Sequence, residues 1–157
     1  LLLYRDSFGE ALIPLLSTNL GRAVYSQEFP YNLELNGESY GMIMIELVER
    51  NIPNLLTGAP LMQASEKQLP ADAVSVSCTA NTQKRSGFTQ LYGSIAAYPA
   101  AERIYIEVAC ADGAVRIYEA FPVNDSGDAD PAWESASGYL LTLPEGIEGK
   151  VSGAYIG

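Results

Sequence analysis

The chain has 157 residues, 48% of them apolar, and nine Lys+Arg against nineteen Asp+Glu give it a net charge of −10. That leaves ample apolar material for a packed core and argues against disorder; it also excludes nucleic acid and anionic membrane as partners, because little is present to neutralise phosphates. Histidine is absent, so the chain by itself cannot assemble a Ser–His–Asp site, and no apolar run approaches the roughly 18–20 residues that span a bilayer.

Residues 1–4 (LLLY) form a short apolar run of the kind that makes a buried parallel strand. No initiator Met precedes it, and the chain is expected to be the back end of a larger enzyme whose upstream part lies elsewhere. Residues 5–8 (RDSF) turn the chain. Phe8, Leu12, Leu15, Leu16 and Leu20 then recur at spacings of three and four, the apolar face of a helix kinked at Pro14 and stopped by Asn19 and Gly21. Residues 23–26 and 42–48 read as further strands, the second broken only by Glu46. Strand, helix, strand and strand predict part of an α/β sheet over residues 1–57. Residues 58–72 mix small, polar and proline residues without period and read as a linker, with a short helix over 61–67 as one option.

From residue 73 the pattern is alternation. Val74, Val76, Cys78 and Ala80 fall on one face of a strand, and residues 88–98 form another. Asp112-Gly113 signals a type I′ hairpin. Centred there, it pairs Cys110 with Val115, Val108 with Ile117 and Ile104 with Phe121, and it turns Tyr105, Glu107, Arg116 and Tyr118 to the opposite face. Glu119 is then stranded on the apolar side. Residues 138–143 and 150–156 complete six or seven short strands, which predicts an all-β, immunoglobulin-like sandwich over 73–157.

Ser7 follows a buried strand and opens a helix, so its hydroxyl stands near helix N-terminal N–H groups that can stabilise an oxyanion, the geometry acyl transfer needs. Asp6 or Ser7 at this position can equally act as a simple helix cap.

The block RDSFG after an apolar strand resembles the Gly-Asp-Ser block of the SGNH hydrolases, with Arg5 in place of the glycine. Residues 1–20 followed by MIMIELVERNIPNLL are similar to the C-terminal part of the DHHW and alginate O-acetyltransferase-like branch of that superfamily, over about residues 1–56. The resemblance implies Ser7 as nucleophile, with its backbone N–H in the oxyanion hole, and Asp6 as a neighbour that shapes the turn. It places the Asp-x-His pair upstream of this chain. It further implies an extracytoplasmic O-acyltransferase or esterase acting on a cell-surface or exopolysaccharide, with no cofactor or metal. The partners are then an acyl donor and a polysaccharide. The competing class is a non-catalytic module that binds glycan or protein through its sandwich.

Glu49, Arg50 and Asn51 leave the 42–48 strand at its carboxyl end, where ligands bind in open α/β sheets. They are candidates for lining a pocket or orienting the missing histidine, or they form an ordinary exit loop. Cys78 and Cys110 are too few for a disulfide scaffold and match no zinc spacing. A bridge between them and two buried thiols are both open. The acidic loop 124–130 lacks the EF-hand order of calcium ligands. Tyr105, Tyr118 and Trp133 are candidates for stacking on sugar rings. Finally, residues 1–4, apolar on both faces, are expected to expose an unpaired edge, so that residues 1–56 either self-associate or pack against the sandwich.

Overall fold

The computed structural model describes residues 1–34, 38–96, 103–124 and 137–157. Trp133, most of the acidic loop and the end of the expected 88–98 strand lie outside these residues. The chain is mostly β, with a three-stranded parallel sheet, an eight-stranded antiparallel sheet and few helices.

The parallel sheet comes first. β1 (Leu2–Arg5) leads into a 3-10 turn (Phe8–Leu12) and a single-turn helix α1 (Ile13–Ser17), followed by β2 (Val24–Ser26) and β3 (Ile43–Glu46). The order is β2-β1-β3, so β1 is central, not the edge expected from its composition. Its continuous apolar sequence is that of a strand covered on both faces. Leu2 and Tyr4 pack with Tyr31, Val24, Ile43, Ile45 and Leu55 on one side. Leu3, which alternates to the other side, is fully buried. The open edges belong to β2 and β3. The expected helix is broken up for a local reason: Pro14 sits in the first turn of α1, where its missing N–H costs nothing, so it starts a helix instead of kinking one. Phe8, Leu15 and Leu20 are exposed and do not form a buried face.

The stretch 58–72 contains no helix. Ala59 and Leu61 are buried, Leu61 forms a parallel bridge with Asn32, and β4 (Glu66–Lys67) joins the large sheet beside β9. A second 3-10 segment, Glu49–Leu56, precedes it. The large sheet is completed by β5 (Val74–Ser75), β6 (Asn81–Arg85), β7 (Phe88–Ser94), β8 (Ile104–Cys110), β9 (Val115–Val123), β10 (Gly138–Thr142) and β11 (Gly149–Ile156). Their order is β5-β11-β8-β9-β10-β7-β6. β9 changes partners along its length. Its first part pairs with β8 and β4, its last three residues with β10. One core cluster draws on both halves, with Leu91 and Leu141 from β7 and β10 meeting Ile106, Val108, Tyr118 and Ala154 from β8, β9 and β11.

The β8–β9 hairpin exists, but one residue out of the expected register. Ala109 faces Val115, Val108 faces Arg116, and Ile106 faces Tyr118. The turn is the reason. Only Gly113, at φ +85°, is left-handed, whereas a type I′ turn needs both central residues so. Cys110 N–H donates to the Ala114 carbonyl at 2.8 Å, closing a three-residue loop, and the Asp112 carboxylate accepts from Ala114 N–H and from Arg116. A slip of one residue moves every side chain of one strand to the other face. Tyr118 and Ala120 therefore enter the core, and Glu119 turns outward to Lys67 and Arg103 at 3.7 and 3.8 Å. The I′ turn lies elsewhere, at Ser86-Gly87 between β6 and β7, where both residues have positive φ. Ile106→Ala should cost about 2–5 kcal/mol. Val115→Ala, at an exposed position of the partner strand, should stay within about 0.5 kcal/mol. Urea unfolding of the two variants reads the register directly, because the expected pairing would have buried Val115.

Candidate active site

Ser7 stands at the carboxyl end of β1, on the turn into the 3-10 segment, and is exposed. Its side chain makes no capping hydrogen bond. That duty falls to Asp6. One oxygen of the Asp6 carboxylate accepts from Phe8 N–H at 2.8 Å. The other accepts from Val48 N–H at 2.8 Å and lies 3.4 Å from the Asn51 side-chain amide. Val48 is the exit of β3, which runs parallel to β1 in register from Leu2↔Ile43 to Arg5↔Glu46. A single carboxylate thus ties the turn that carries Ser7 to the turn that carries Glu49, Arg50 and Asn51.

The other flank of Ser7 touches the same turn. The Arg50 guanidinium lies 5.3 Å from the centre of the Phe8 ring, a cation–π distance. Glu49 is exposed at the start of its 3-10 segment, and Asn51 N–H donates to the Val48 carbonyl. Beneath the turn, Gly9 is buried, and a Cβ there would collide with the Glu46 carboxylate and with Arg5 Cβ. Glu46 was visible in the sequence only as the one charge inside an apolar strand; that interruption was the available signal. Glu46 Oε2 and Arg5 Nε are buried without hydrogen-bond partners, so the floor of the turn is polar and constrained.

The Asp6 carboxyl is held below its ordinary value of 3.8, first by the Val48 N–H, with the Phe8 and Gly9 N–H groups and the Arg50 charge acting in the same direction; partial desolvation opposes them. Asp6 is therefore an ionised structural anchor with both oxygens engaged. The arrangement offers a serine hydroxyl at the carboxyl edge of a parallel sheet, adjoining a turn that bears Glu49, Arg50 and Asn51. It holds no general base of histidine type.

The remaining candidates lie elsewhere. Tyr118 is 1% exposed and Tyr105 is 6% exposed, so neither presents a ring face to a sugar. Tyr118 is in the core because of the register, and Tyr105 is buried on the opposite face of β8. Trp133 lies outside the described residues. Cys78 and Cys110 are free thiols that pack into the same core cluster, and burial pushes the Cys78 thiol up. Among the described residues no group of three or more His, Cys, Asp or Glu is placed to hold a metal, and no helix is long and apolar enough to cross a membrane.

No protein-family model matches the chain, and no curated protein or solved structure is significantly similar to it. The folded-state pKa of Asp6 lies below the unfolded one, so its stabilisation is complete above the ordinary carboxylate value and disappears as the pH falls through the folded value. At neutral pH Asp6→Asn should be less stable than the parent in urea, and the gap should close as the pH is lowered below 3.8. A gap that does not change with pH would contradict the anchoring role.

Proposed function

We propose that this chain is the C-terminal part of an SGNH-like serine O-acyltransferase or esterase, extracytoplasmic, that acts on a cell-surface or exported polysaccharide. Ser7 is its nucleophile. The observation that carries the reading is that Ser7 is exposed and free of capping at the carboxyl end of a central parallel strand, on a turn that a neighbouring carboxylate fixes. In the reaction, Ser7 Oγ attacks the acyl carbonyl carbon and loses its proton to a base. The donor's acyl–oxygen bond then breaks as the base returns that proton to the departing oxygen; the acyl group next passes from Ser7 to a sugar hydroxyl or to water, whose proton the base takes and hands back to Ser7 Oγ. The base is a histidine supplied from outside this chain, since the chain has none, and Glu49, Arg50 and Asn51, on the turn that adjoins Ser7, are the residues that would orient it. Residues 73–157 form an immunoglobulin-like sandwich, a reading supported by the way β9 passes from one set of partners to the other over a shared core. That unit holds the glycan or braces the catalytic part.

The absence of histidine also favours a second reading, in which Ser7 is not used and the chain is a glycan- or protein-binding module. One experiment separates them. Without a general base, assistance worth about 10²–10⁴-fold is missing, so the chain alone should turn over nitrophenyl acetate no faster than background. With imidazole added as an external base, peptide mass spectrometry should find acetyl groups on Ser7 well before the exposed Ser17 or Ser152. Acetylation spread evenly over the exposed serines would remove the nucleophile and leave the binding module.

A further inference from the structure

Of the nine Lys and Arg residues, seven have an ion pair, an aromatic ring or a hydrogen-bond partner in the structure. Arg85 and Lys150 have none among the described residues. For a protein of net charge −10 an unpaired guanidinium is unusual, and its position is more so. Leu91 and Leu141 point into the core, so by alternation Gln90, Tyr92, Leu140 and Thr142 occupy the opposite face of β7 and β10. The pairings Asn81↔Tyr92, Gln83↔Gln90 and Arg85↔Phe88 put Gln83 and Arg85 on that same outer face. The loops of the first sheet pack over it, with Asn124 N–H donating to the Leu56 carbonyl at 2.8 Å.

Between the two parts lies a cleft of about 330 Å³, lined by Phe29 and Gly58 from the first part and by Gln83, Arg85, Tyr92 and Leu140 from the large sheet. That is within the size range of small-molecule sites. Phe29 is 44% exposed and Tyr92 37%, so two of the large exposed hydrophobic side chains line the same hollow. A Cβ at Gly58 would strike the Phe29 ring, so the glycine is what leaves room for that ring beside its loop.

We propose that this cleft is a binding site for a sugar ring bearing an anionic substituent, a carboxylate or a sulfate. The Phe29 and Tyr92 rings supply flat apolar surface for the C–H face of a pyranose. The planar amide of Gln83 and the Tyr92 hydroxyl reach ring hydroxyls at its edge. Arg85 pairs with the charged group through parallel N–H donors, a fork that lysine cannot reproduce. An extended acidic peptide would meet the same cation but would leave the ring surfaces without a matching flat face. The nineteen carboxylates of the chain work against nonspecific anion capture, so binding here depends on the local geometry. The site gives a ligand class to the glycan-holding role proposed above and takes its biological context from that reading. Its test reads binding alone, so it and the Ser7 assignment fail separately.

The test is calorimetric titration of the chain with four probes of similar length: an oligogalacturonate, a sulfated oligosaccharide, a neutral cello-oligosaccharide and an oligoglutamate peptide. At least one charged sugar should bind, and the two charged sugars together identify the substituent. The neutral sugar and the peptide should bind at least about tenfold more weakly, the scale of one lost charge-assisted hydrogen-bonding group. Arg85→Gln and Tyr92→Ala should each weaken the preferred sugar by about tenfold or more, whereas Lys150→Gln should leave it unchanged. Arg85 is exposed on an edge strand, so its variant should keep the parent's urea midpoint. Failure of both charged sugars to bind, equal binding by the peptide, or undiminished binding by Arg85→Gln would overturn the proposal.

Discussion

The first third of the molecule depends on one carboxylate. β1 and β3 are parallel neighbours, and their exit turns leave the sheet at the same edge with backbone N–H groups that the ladder no longer satisfies. Asp6 answers two of them at once, Phe8 N–H within its own turn and Val48 N–H across the sheet, 42 residues away in sequence. The bond across the sheet is what turns a local cap into a tertiary contact, and it is the largest cause of the lowered Asp6 pKa. With Asp6 so occupied, the Ser7 side chain makes no capping hydrogen bond. The side chains that flank it are held, and it stands exposed between them.

That division of labour between adjacent residues could not be read from sequence. Aspartate and serine are both good caps, and nothing in RDSFG says which of them reaches a backbone group beyond Leu47. What sequence did convey was the placement of both turns after apolar strands, since continuous runs such as LLLY and MIMI suit a parallel sheet buried on both faces. The central position of β1 was missed because composition does not distinguish a central strand from an edge that a partner will cover. The apolar helix face expected from Phe8 to Leu20 does not form, because Pro14 and the 3-10 geometry of Phe8–Leu12 break the 3.6-residue period that the spacing argument assumes.

In the large sheet the longer apolar strands were legible in the sequence, but the register was not. Asp-Gly marked the β8–β9 turn correctly as a place, but turn type depends on which residues adopt positive φ, and only Gly113 does. The out-of-place Glu119 was the sign of the slip, and the ion pairs it makes with Lys67 and Arg103 show where the correct register sends it. β6 escaped notice because all five of its residues are polar and exposed. The same polarity leaves Arg85 on an open face, where the loops around Phe29 and Gly58 meet it. The tyrosines singled out by alternation proved to be packing residues, whereas the exposed rings of Phe29 and Tyr92 line one cleft, brought together by tertiary structure from positions 63 residues apart.

The central claim, that one ionised Asp6 joins the Ser7 turn to the 48–51 turn, is tested most directly by following the amide proton and nitrogen shifts of Phe8 and Val48 by NMR through an acid titration. The account predicts that both amides shift together with a single midpoint below 3.8, the ordinary carboxylate value. Two separate midpoints, or a common one at or above that value, would show that the two turns do not share the carboxylate and that Ser7 is not presented in the way described.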